Sequence, residues 1–191
     1  GASRTGVARL AAATGLADSA FNAASDDSVS AIALSGTTLF VGGSFGHIGG
    51  QSREHIAQLN VADGHATAWD PGANGDVESL ALAGTALVVA GDFDEVGGVE
   101  RMYVAALDTT SATNIALPWN PSLNDGADFV HVDAAGHVFT SGAFTFFGAV
   151  KRENLAAIDL LTGELLPWNP GANGWIRALD MLGNTVYIGG D

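Results

Sequence analysis

The stretch FVGGSFGHIGGQSREHIAQLNVADGHATAWDPGANG, Phe40 to Gly75, holds the pattern on which the fold turns. An apolar run ends in the pair Gly42-Gly43, a second glycine pair follows, and then come Arg53, the alternating run His55–Val61, the turn ADGH, and Trp69 before Pro71. Laid along the rest of the chain, the pattern returns. Phe21, Trp69, Trp119 and Trp168 stand at successive intervals of 48, 50 and 49 residues, and the three tryptophans sit in WDP, WNP and WNP. Arg4, Arg53, Arg101 and Arg152 form a second column, using four of only seven basic residues. The glycine pair is a third, repeating as Ala90-Gly91, Ser141-Gly142 and Gly189-Gly190. Four tandem units follow, 1–49, 50–97, 98–148 and 149–191, which together form one domain.

Each unit divides into four strand-length apolar segments, such as VESLAL, ALVVAG, HIAQLNV and ATAWD, closed by Gly, Asp or Asn. LSGTT, LAGTA, ADGH and LTGE place glycine where a tight hairpin wants positive φ. Proline after the Trp column donates no backbone hydrogen bond, which suits the outermost strand. A four-stranded meander cannot bury both faces alone, whereas a radial array of meanders can. The expectation is therefore an all-β β-propeller of four blade-equivalents, either a closed four-bladed ring or a fragment of a larger propeller. A linear β-solenoid ranks below it, because its coils are usually shorter and lack hairpin-linked strands.

GGSF…GGQSR at Gly42 to Arg53, AGDFDEVGGVER at Ala90 to Arg101 and GELLPWNPGANG at Gly163 to Gly174 resemble the delta-60 repeat propellers of secreted bacterial proteins. More distantly they resemble the propeller of fungal cortical polarity markers. The third unit departs from the pattern at Gly148-Ala149, and the first has Phe21 and Ala23 in place of Trp and Pro. The resemblance implies a bacterial module, extracellular or on the cell surface, and transfers no catalytic residue.

Composition narrows the partners. The formal charge is -14, from 21 acidic and 7 basic residues, and it repels nucleic acid and anionic membrane surfaces. No apolar run approaches the roughly 20 residues of a membrane-spanning helix. Without cysteine there is no disulfide or thiol chemistry. A protein or a glycan is the expected partner, and further blades beyond this chain are another.

Several residues were weighed for chemistry. The Arg column reads as loop bracing, a guanidinium holding carbonyls or a carboxylate at a blade junction. Trp69, Trp119 and Trp168 read as wedges between blades, whereas Trp175 lies outside the column and is the candidate for an exposed, ligand-facing aromatic. Acidic stretches around Asp26-Asp27, Asp92, Asp94, Asp125 and Asp128 suit calcium through loop oxygens, although the D-x-[DN]-x-[DN]-G loop is missing and Asx turns account for the same residues. The five histidines have no zinc spacing. No G-x-S-x-G, H-E-x-x-H or phosphate loop is present, so the reading is a non-catalytic interaction or scaffold module. The alternatives are a carbohydrate-binding module and a fragment of a propeller hydrolase using an acidic pair.

Overall fold

The structure, a computed structural model, describes residues 5–113 and 115–191. Arg4 lies outside the described residues. In chain order the strands are β1 (Val29–Ser35), β2 (Thr38–Gly43), β3 (His47–Ile48), β4 (Gln51–Ser52) and β5 (Ile56–Asn60). They are followed by β6 (Val77–Ala83), β7 (Ala86–Gly91), β8 (Glu95–Val96), β9 (Val99–Glu100) and β10 (Val104–Asp108). The third set is β11 (Ala127–Val132), β12 (His137–Gly142), β13 (Phe146–Phe147), β14 (Val150–Lys151) and β15 (Leu155–Asp159), and β16 (Ile176–Leu182) and β17 (Thr185–Gly190) come last. No helix occurs among the described residues.

Three antiparallel blades result, ordered β1-β2-β5, β6-β7-β10 and β11-β12-β15, with the hairpin β16-β17 beside the third. The expected fourth strand is reduced to one bridge per blade, Leu59 to Ala66, Leu107 to Ala116 and Ile158 to Leu165. Proline and the Asx turns leave this outer segment too few free backbone groups for a ladder. Two-residue hairpins, β3-β4, β8-β9 and β13-β14, fill the connection between the second and third strands. The sequence repeat is out of phase with the blade. Residues 50–97 supply β5 and Trp69 to one blade and β6 and β7 to the next.

The core lies between blades. In β7 the side chains alternate between two neighbours: Leu87 and Val89 join Phe40, Ile56 and Trp69 of the first blade, while Val88 and Ala90 join Val138, Phe144 and Ile158 of the third. A strand covered on both faces has no polar side to show, which is why ALVVAG is continuously apolar. The N-terminal segment repeats the outer half of a blade. Its Leu10 bridges Ala17 as Leu59 bridges Ala66, and Val7, Phe21 and Ala23 pack on Leu39, Val41 and Phe45.

Each inner strand carries a β-bulge near its start, at Ser30, Glu78, Asp128 and Arg177. Opposite the bulge the second-strand glycine lies against the backbone that leads into the blade. A Cβ on Gly43, Gly91, Gly142 or Gly190 would overlap the carbonyl oxygen of Ser28, Asp76, Gly126 or Trp175, so the glycine hinge is a close backbone crossing. By contrast Gly84, at φ 62° in the hairpin turn, has open space around it. Gly91→Ala is expected to destabilise by about 3 kcal/mol, because backbone must move. Gly84→Ala should cost about 1 kcal/mol, for its left-handed φ alone. Urea midpoints of the two variants check the order.

Candidate interaction surface

The repeated residues come first, because their contacts determine what is left for binding. Arg53 donates from Nη1 to the Ser52 carbonyl and from Nη2 to the Thr67 carbonyl, both at 2.6 Å, and its Nη1 lies 3.2 Å from the Asp70 carboxylate. Arg101 makes the same pair of bonds, to the Glu100 and Leu117 carbonyls at 2.8 and 2.9 Å. Arg152 reaches those of Lys151 and Leu166 at 2.9 and 3.2 Å. In each case the far carbonyl belongs to the residue two before the column tryptophan. The guanidinium thus pins the outer segment to the hairpin tip of its own blade.

Trp69 and Trp119 are buried and donate from Nε1 to the carbonyls of Asp108 and Asp159, at 2.8 and 3.0 Å, the last residues of β10 and β15 in the following blades. Phe21 has no such donor. There Arg9, whose guanidinium carbon lies 5.8 Å from the Phe21 ring centroid, donates to the Val61 carbonyl at 2.6 Å. Trp168 sits edge-on to Phe139, at 5.2 Å between centroids, in an open cleft with Met181 and Val186.

Two columns escaped the sequence reading. Asp26, Asn74 and Asn124 each accept two backbone N–H bonds from the hairpin tip of the same blade, to Gly46 and His47, to Asp94 and Glu95, and to Thr145 and Phe146. Asp and Asn alternate at this position, so identity hides it, but the shared short side-chain acceptor is the signal. His55, Tyr103 and Asn154 all adopt left-handed φ of 61 to 67°, just before the third strand. Their neighbours are the loops leading into the next blade: His55 Nδ1 lies 3.3 Å from Asp76, and Asn154 donates to the Ala172 carbonyl.

What differs between copies is concentrated at the hairpin tips. The paired positions there are His47 and Ser52 in the first blade, Glu95 and Glu100 in the second, and Phe146 and Lys151 in the third. All but His47's blade-mate are unlike in charge or polarity from their equivalents, and all six are exposed. Glu95 directly opposes Glu100, a like-charge pair that an isolated hairpin would not favour.

The acidic candidates separate. Asp92, Asp125 and Asp128 lie near one another beside the bulge residue Glu78. Burial first, then the charges of Asp92, Glu78 and Asp125, push the Asp128 carboxyl above its usual range. Asp94 is elsewhere, hydrogen-bonded to the Asn74 side chain. Among the described residues no three His, Asp or Glu side chains are grouped to hold a metal ion. His47, His55 and His137 each face a carboxylate, of Asp26, Asp76 and Asp133, in three separate places. Trp175 is 64% exposed.

With this geometry in hand the comparisons are informative. Residues 38–64, from β2 through β5 and its following turn, match the family described as a domain of unknown function (DUF5122) beta-propeller. The computationally designed Ika4 protein is similar in its crystal structure, at 18% identity and a TM-score of 0.59, with 86% of each chain covered. The fold is a β-propeller. The computationally designed Ika8 protein is similar at 13% identity and a TM-score of 0.43, over 85% of this chain and 68% of that one. No curated protein matches the sequence.

Removing Arg101 as Arg101→Ala leaves two strand-end carbonyls without their charged donor and is expected to cost about 2–3 kcal/mol, read from denaturant unfolding. The amide N–H bonds from His47 and Gly46, chiefly the former, hold the Asp26 carboxyl below its usual range. A depressed folded value means stability that is present above the unfolded pKa and lost as pH falls through the folded one. Asp26→Asn keeps the acceptor, as Asn74 and Asn124 do, so its melting temperature should fall less than the parent's between neutral pH and about pH 3.

Proposed function

We propose that this propeller is a non-catalytic interaction or scaffold module of the delta-60 type, distantly akin to the fungal polarity-marker propeller, working at the exterior of a bacterial cell. The observation that carries the reading is the division of labour among its residues. The repeated Arg, Trp and Asx side chains are occupied with backbone carbonyls and amides, while the exposed hairpin tips change character from blade to blade. A surface that varies on an invariant support is the usual arrangement for recognition. The net charge of -14 and the opposed Glu95 and Glu100 favour a cationic segment of a partner protein.

The test is binding to an array of basic, neutral and acidic peptides at two salt concentrations. Salt-sensitive binding to the basic set, lost in Glu95→Gln/Glu100→Gln with an unchanged melting temperature, is the expected result. Binding instead to neutral polysaccharides, abolished by Trp175→Ala, would replace this reading with a carbohydrate-binding module, which the exposed indole of Trp175 favours.

A further inference from the structure

The strands of each blade are related by the repeat, so every position has counterparts whose surroundings can be compared. Leu10 corresponds to Leu59, Leu107 and Ile158, all fully buried, yet Leu10 is 59% exposed. Ile188 corresponds to Val41, Val89 and Thr140, again fully buried, and is 50% exposed. Tyr187 corresponds to Phe40, Val88 and Phe139, all buried, and is 57% exposed. On β1 the apolar Ile32 and Leu34 are exposed as well, on the face that in β6 and β11 meets the preceding blade.

These exposed groups fit one another. The segment Val7–Ala11 has the outline of a third strand: Gly6, at φ 78°, occupies the left-handed place of His55, Tyr103 and Asn154, and Leu10 bridges Ala17 in the manner of Leu59 and Ala66. What it lacks is a second strand on its inner side. The hairpin β16-β17 has first and second strands in the register of the other blades, bulge included, and β17 lacks a third strand. Trp168 completes the correspondence. Trp69 and Trp119 bond the last carbonyl of the next third strand, and the equivalent carbonyl for Trp168 is that of Ala11.

We propose that two copies of this chain assemble head to tail, the Val7–Ala11 strand of one lying antiparallel along β17 of the other to complete a shared blade. The register of β2 with β5 transfers directly, pairing Thr185 with Ala11, Val186 with Leu10, Tyr187 with Arg9, Ile188 with Ala8 and Gly189 with Val7. Tyr187 then covers Ile32 and Leu34 of the other copy. Closure within one chain is disfavoured by the same exposures, since three blade-to-blade steps leave the faces of β1 and β17 open. Two copies give eight blades, inside the range of about 4–8 found in closed propellers, and the ring then has no free edge. Because the contact is the same at both joints, the assembly closes at two rather than growing into a filament. The inference rests on the repeat register and is independent of what the hairpin tips bind.

The chain has no cysteine, so engineered pairs report without background. Ala8→Cys and Ile188→Cys are made separately, mixed under reducing conditions, and oxidised. A reducible cross-linked dimer is expected from the mixture and not from either variant alone. Light scattering of the parent should give twice the chain mass of 19.3 kDa. Leu34→Glu, at a site exposed in the single chain, should reduce that to one chain mass while the far-ultraviolet β signal is kept. A parent of one chain mass at every concentration would overturn the proposal. So would an Ala8→Cys/Ile188→Cys double variant that seals within a monomer, or a Leu34→Glu variant that stays dimeric.

Discussion

The hydrogen bond from a column tryptophan to the final carbonyl of the next blade's third strand is the joint on which this molecule depends. A three-stranded sheet one layer thick has two apolar faces and no interior of its own. It acquires one only when its neighbours are held at a fixed distance and angle. Trp69 and Trp119 do this from both sides of the problem, filling the wedge with a large ring and fixing its depth with the indole N–H. The Arg column secures the segment on which the tryptophan rides, so ring position, outer segment and hairpin tip move together.

That economy has a functional consequence. Nearly every residue that recurs at the repeat spacing is committed to a backbone partner, and the side chains free to meet another molecule are those that the repeat does not constrain. The first junction shows how tolerant the scheme is, since Phe21 and Arg9 together reproduce the shape and the donor of one tryptophan. Recognition and architecture can therefore vary separately, which is the property a propeller scaffold trades on.

The architecture was legible because it repeats: four aromatic positions, four arginines and four hinge glycines at one spacing leave little freedom in fold class or strand content. The reason for the hinge was not legible, since only the bulge at Glu78 and its equivalents brings the leading backbone against Gly91. The fourth strand was over-read from ATAWD, where Thr67 and Ala68 present carbonyls and side chains to Arg53 and Gln58 rather than to a ladder. At the candidate surface, Trp175 stands exposed where its place outside the column suggested. Among the acids, Asp94 was grouped with Asp92 by sequence proximity alone, and the structure turns it toward Asn74, because neighbours on a tight turn point apart. The left-handed residues His55, Tyr103 and Asn154 share a backbone conformation and no chemistry, so no side-chain pattern could have revealed them.

The most direct test of the joint is hydrogen exchange at the four indole N–H groups, followed by nitrogen-15 correlation spectra with each peak assigned by single Trp→Phe substitution. The account predicts that the Trp69 and Trp119 indoles exchange only through opening of the blade stack and are strongly protected, while the Trp175 indole exchanges at once. Equal and rapid exchange at Trp69, Trp119 and Trp175 would contradict it, because the blades would then be held together without the bond that places them.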